Sequence, residues 1–249
     1  SITLAGYKFF HYGDNLTGPR PESEKEDIQT AAGDEVIYQN LRAGAESGWD
    51  FSSRWFDETN QLKSIRTFDI LPVDLNSFLI NPESDENYIA TYNYLFWNDD
   101  LGIYTDYNYK TKMQTGKISL AMFLPLWQGF ASEEQAAKVA KFAEKNLLKR
   151  GGLVTTNVES GEQWDSPNGW APLQWIAVKG LEKYGFNQLA NKIKKLWINT
   201  CKITYKNTHK MLEKYNVINP ELMPEDGEYT VQDGFGWTNG VYLDFIHSV

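Results

Sequence analysis

The sequence predicts an all-α chain that forms part of an α/α toroid. Three observations predict it. Apolar residues recur at helical spacing along most of the chain, and strand signals are few. Between the helical stretches lie loops dense in Gly, Trp and acids, at 47–51, 161–170 and 226–239. Helical hairpins with functional loops gathered at one end build such a ring. A closed ring of six helix pairs needs roughly twelve helices, and the pattern supplies about eight. Residues 1–249 are therefore expected to be part of a single toroid domain whose N-terminal helices are missing.

The elements follow in order. Residues 34–46 read as a helix with Val36, Ile37, Leu41 and Ala45 on one face. The stretch 69–79 carries Ile70, Leu71, Val73, Leu75 and Phe78, with Pro72 suited to a first turn. Residues 86–98 form an aromatic-rich helix. The apolar stretch 116–129 has Pro125 near its end, which predicts a kink or a last turn there. Residues 132–149 give the clearest helix: Ser132 caps it, Glu133, Glu134 and Gln135 follow, and Gly151-Gly152 stops it. Helices are expected over 171–184 and, long and amphipathic, over 187–215. A last one starts near Asn239. Leu153 to Thr156 is the one clear strand signal.

Composition excludes several classes. The formal net charge of -9 would repel a phosphate backbone, so no nucleic-acid partner is expected, and an anionic membrane surface is disfavoured too. No apolar run reaches the length of a membrane-spanning segment. Cys201 is alone, which rules out an intrachain disulfide and a cysteine metal site, and His11, His209 and His247 are scattered. No metal site is expected. Residues 1–10 lack the basic region and apolar core of a signal peptide. One sequon, Asn15-Leu16-Thr17, tilts the expected location towards extracellular or membrane-anchored rather than cytoplasmic. Aromatics reach 14%, which suits sugar faces and cores alike.

Three acids sit where chemistry could use them: Asp50 beside Trp49, Glu213 at the end of the predicted long helix, and Glu228 in Gly227-Glu228-Tyr229. Glycosidic cleavage needs a proton for the leaving oxygen and a nucleophile or activated water, so two carboxyl groups suffice. Trp49 would exclude water from Asp50 and raise its pKa, as a general acid requires. Equally, an Asp after a helix serves as a cap or a solvated loop residue, and a Glu near a helix end as surface.

Gln163-Trp164-Asp165-Ser166-Pro167-Asn168-Gly169-Trp170-Ala171-Pro172 resembles a signature of the trehalase family. Further segments match in the family's order: Arg20 to Ser23, Glu46 to Trp55, Ile70 to Asn76, Glu213 to Tyr215, and Gln232 to Gly240. The resemblance runs from about Pro19 to Leu243. It implies an inverting hydrolase on an (α/α)6 toroid that converts trehalose and water into two glucoses, with no metal or organic cofactor. Residue by residue, it implies Asp50 as general acid and Glu213 as general base. Arg20, Pro21, Glu22, Gly48 and Glu228 match the sugar-contacting segments. Trp164 either stacks on sugar or belongs to the core, and Asp165 orders its loop.

Two departures stand out. The family's loop before the Glu-Tyr pair is usually a run of glycines; here it reads Asn219-Pro220-Glu221-Leu222-Met223-Pro224-Glu225-Asp226-Gly227, stiffer and more charged. The family's N-terminal part, with its own substrate arginines, is not in this sequence, so a partner is expected: that missing part or a second chain. An alternative is a degenerate, non-catalytic relative that binds sugar or a partner. Another is a related glycosidase for a different disaccharide. The joint presence of Asp50, Glu213 and Glu228 argues against the former, the Gln-Trp-Asp loop against the latter.

Overall fold

The computed structural model describes residues 1–80 and 84–249. Nine α-helices occur among them: α1 Glu24–Ala31, α2 Glu35–Ser47, α3 Val73–Ser77, α4 Glu86–Phe96, α5 Leu124–Gln128, α6 Glu133–Asn146, α7 Ala171–Lys183, α8 Asn187–Thr208 and α9 Gly236–His247.

The helix ends follow local chemistry. The Asp34 side chain accepts from the Val36 amide to start α2, and Gly48, at φ +73°, closes it in the left-handed conformation. At α6, Ser132 and Gln135 form the reciprocal capping box that the sequence predicts. Along α8, Ala190, Ile193, Lys194, Trp197, Cys201 and Thr204 repeat every three or four residues and make its buried stripe. Helix α7 packs against α5, α8 and α9 and is the centre of the C-terminal half.

Three expectations need correction. Most predicted helices are present, but the stretch 69–79 holds the strand Ile70–Leu71 before the short α3, and the chain is not all-α. Eleven strands of two or three residues pair antiparallel in five small sheets among the described residues. Runs that short carry no period, so only long-range pairing reveals them. Pro125 lies in the first turn of α5, not near the end of a longer helix: a 3-10 turn, Leu120–Phe123, precedes it and takes up the apolar run. The long helix stops at Thr208, because His209 turns left-handed at φ +58°. Glu213 therefore leaves the helix and stands just before the strand Lys214–Asn216.

One continuous core runs through the described residues. At its centre Trp49, Trp164 and Trp170 form a column: Trp164 stacks on Trp170 with centroids 3.7 Å apart and on Trp49 at 5.3 Å. Replacing one such ring by alanine costs about 3–5 kcal/mol. The other side is open. Leu243 and Ile246 on α9 are exposed. Beside them lies an apolar groove of about 560 Å³ lined by Cys201, Tyr205, Met211, Tyr242 and Leu243. A second, of about 350 Å³, lies between Trp127, Trp175, Ile176 and Trp237. No helix among the described residues is long and apolar enough to cross a membrane.

Candidate active site

Four loop segments converge, and backbone hydrogen bonds fix their register. The strand Asn168–Trp170 pairs antiparallel with Lys214–Asn216, setting Trp170 opposite Lys214. The Trp164 amide donates to the carbonyl of Phe51 at 3.0 Å. The Glu213 amide donates to Gln232 O at 3.0 Å, and Leu212 bridges Asp233. The segments carrying Asp50, Trp164, Glu213 and Glu228 are thus tied to one another.

Side chains lock the same contacts. The buried Asp165 carboxylate accepts from Ser52 Oγ, Ser53 N and Ser53 Oγ at 2.7–2.9 Å, from Thr156 Oγ1 at 2.7 Å, and from Ser160 Oγ. Its donors are all uncharged, and their number is what makes a lone buried charge tolerable. Asp165 accordingly orders its loop and that of Asp50 together. On the other side, Arg54 anchors the same segment through four hydrogen bonds to Asp74 and Asp106, with Trp49 and Trp55 on its faces.

Asp50 is half-buried. Burial pushes its carboxyl up to about 6 from 3.8. Its own backbone and Arg20 pull the other way, while Glu228 and Glu213 add to the rise. Glu213 is buried at 1% exposure. Its Oε1 accepts from Tyr229 OH at 2.7 Å, and its Oε2 has no hydrogen-bond partner among the described residues. One acceptor oxygen is thus left over on a buried, otherwise anchored carboxyl.

Arg20 is buried at 5% exposure. Its Nε and Nη2 hold Asp27, the backbone amide of Arg20 also donates to Asp27, and Nη2 reaches Glu228 Oε1 at 2.8 Å. Ser23 Oγ donates to the same Glu228 oxygen at 3.3 Å. Arg20 and Glu228 are therefore brought together, next to Asp50. Pro21 begins a 3-10 turn and is exposed, as is Glu22. A Cβ at Gly48 would meet nothing within 4 Å, so its positive φ, not crowding, requires glycine. Trp164 is 6% exposed and stacked on both faces, so it belongs to the core. This packing favours the core reading over the sugar-stacking one.

Four residues of the assembly escaped the sequence. Gln163 donates from Nε2 to Asp50 O at 2.5 Å, and its Oε1 accepts from Lys214 Nζ at 2.9 Å. Tyr229 caps Glu213. Glu162 is half-buried, and burial, then Asp165 and Glu228, push its carboxyl up to about 7. Their only signal was a place inside or beside a motif. Gly227 seats against Gln163: a Cβ there would lie 2.6 Å from Gln163 Cβ. No group of three or more metal-ligating side chains occurs among the described residues.

The trehalase family profile matches residues 2–92 and 86–249. The chain belongs to the trehalase family. It is 42% identical over 261 aligned residues to a periplasmic trehalase of Citrobacter koseri and, equally, to one of Salmonella newport, covering 94% of this chain and 46% of each relative. This trehalase-family chain thus spans about half the length of the curated relatives it matches. Its fold resembles a neutral trehalase of Saccharomyces cerevisiae with a TM-score of 0.74, at 24% identity, over 96% of this chain and 52% of that one. A mannosylglycerate hydrolase of Thermus thermophilus, solved with glucose, matches at a TM-score of 0.57 and 16% identity, over 92% and 59%.

Proposed function

We propose that this chain carries the acid/base pair of a trehalase and forms about half of its (α/α)6 toroid. Asp50 donates a proton to the oxygen between the two sugars. Glu213, through Oε2, takes a proton from a water on the opposite face, and that water attacks the anomeric carbon. The glycosidic bond breaks as the new C–O bond forms. One glucose leaves with its α configuration, and the attacked one is released as β. Arg20, Gly48 and Glu228 face sugar hydroxyls, with Pro21 and Glu22 on the exposed rim beside them. No cofactor enters the scheme.

The observation that carries this reading is the pair itself: a half-buried carboxyl whose pKa burial has raised, tied through neighbours to a buried carboxyl with one free oxygen. The apolar grooves beside α9 are proposed to be covered by the rest of the toroid, on the same chain or a second one. The periplasmic relatives support an extracellular or periplasmic location. The test is trehalose hydrolysis by the complete protein, followed by proton NMR at early times. Equal α- and β-glucose is expected, and α-glucose alone would overturn inversion. Asp50→Asn and Glu213→Gln should each lose about 10²–10⁴ in kcat; near-normal turnover in either would overturn its role. Glu228→Gln should act mainly on KM.

A further inference from the structure

Lys214 is an expensive residue for its place. Its side chain is fully buried, on a strand inside the core. Burying an ammonium costs several kcal/mol unless partners compensate. Its one hydrogen bond among the described residues goes to Gln163 Oε1, and its ammonium lies 5.8 Å from the centre of the Trp170 ring. Packing alone would be served as well by methionine.

Gln163 is equally constrained. It is 1% exposed. Its carbonyl accepts from Asn168 Nδ2 and Trp170 Nε1, both at 3.1 Å, which fixes its backbone. Its amide faces a donor, Lys214 Nζ, and two acceptors, Asp50 O and the Tyr229 hydroxyl, so only one orientation satisfies them. Two hydrogen bonds thus connect the residue next to Glu213 with the backbone of Asp50.

We propose that Lys214 and Gln163 form a buried positioning relay that sets where Asp50 stands relative to Glu213. The relay rests on the acid/base reading given above for those two carboxyls. The Lys214 ammonium is taken up by Gln163, and the Gln163 amide by Lys214 and the Asp50 backbone, so the pair acts through Asp50. Lys214 contributes charge as well as a tether. The carboxylates facing it come from three elements: Glu213 beside it, Asp226 from the loop before Glu228, and Asp50 across the site. Burial lowers the Lys214 pKa and these three raise it, with a net fall. In return the ammonium stabilises the ionised form of Asp50, so its removal makes Asp50 harder to deprotonate.

The experiment uses the complete protein with Lys214→Met, Lys214→Gln, Gln163→Leu and the Gln163→Leu/Lys214→Met double variant. Trehalose kinetics across pH are paired with carbon-13 NMR titration of the Asp50 carboxyl. A misplacement of about 1 Å costs up to 10²-fold, so Lys214→Met should lower kcat about 10–100-fold and leave KM within about threefold. Lys214→Gln, which still donates to Gln163, should recover part of that loss. Both Lys214 variants should move the basic limb and the Asp50 titration to higher pH. Gln163→Leu should lower kcat with the limb in place, and the double variant should be no slower than Lys214→Met. An unmoved limb and titration, or single losses that add fully in the double variant, would overturn the relay and leave two core residues. If the unaltered protein turns over no trehalose, the functional reading falls, while the Asp50 titration in Lys214→Met still decides the relay.

Discussion

Arg54 and Arg20 each meet two carboxylates, and their surroundings make them different devices. Arg54 is fully enclosed: Asp74 and Asp106 take four hydrogen bonds from it, Val73 and Leu75 amides complete the carboxylates, and two Trp rings cover its faces. Arg20 is held on one side by Asp27 and the Phe51 ring, while its other partner, Glu228, is 19% exposed. Its Nη1 makes no hydrogen bond among the described residues. The closed arrangement spends every group on holding the Asp50 segment in place. The other leaves Nη1 of Arg20 without a partner among the described residues and one carboxylate partly exposed. Two chemically similar sites thus differ in whether the network is saturated, and the saturated one is a frame.

The largest effect that sharpens this contrast is Arg54→Met. It strands two carboxylates in the core, and a loss of about 3–5 kcal/mol in denaturant unfolding is expected. A loss below about 1 kcal/mol would mean that the knot is no frame. Arg20→Lys should be the opposite case. The charge stays but the planar fork is lost. Stability should change by less than for Arg54→Met, and KM for trehalose should rise about tenfold, equivalent to about 1.4 kcal/mol of binding. A stability loss matching that of Arg54→Met would erase the distinction.

The smallest effect concerns pH. The folded-state pKa of Asp50 lies above its ordinary value, so the folded state binds this proton more tightly than the unfolded one. That contribution is fully present below about 3.8 and is lost as pH rises through about 6. Asp50→Asn removes it. Relative to the unaltered protein, the variant should gain about 1–2 kcal/mol between pH 4 and pH 7, at the low end because Asp50 is only half-buried. Glu162→Gln should behave alike, with the window reaching to about pH 7. Equal pH dependence in variant and parent would show that burial does not perturb these carboxyls.

What the sequence revealed and what it hid divide along the same line between local and distant causes. The capping box at Ser132 and Gln135 and the Asp34 cap are contacts within four residues, so they were legible. The acid candidate Asp50 was legible by motif, and the effect of burial beside Trp49 by chemistry. The end of α8 was not: the apolar period runs on past His209, and only the pairing of the following segment with Gln232 and Asp233 pulls it out of the helix. Lys214, Gln163 and Tyr229 escaped because each owes its position to a partner far along the chain. Their place inside or beside a motif did not reveal these contacts.

The seat of Gly227 against Gln163 bears on how variants of this protein should be scored. Any side chain at 227 would push on Gln163, at 2.6 Å from its Cβ and 2.8 Å from its Oε1. In a saturation library, position 227 should therefore rank with Asp50 and Glu213 in sensitivity, although it brings no functional group and lies on an exposed loop. A scoring scheme built on side-chain chemistry or on solvent exposure would pass it as tolerant.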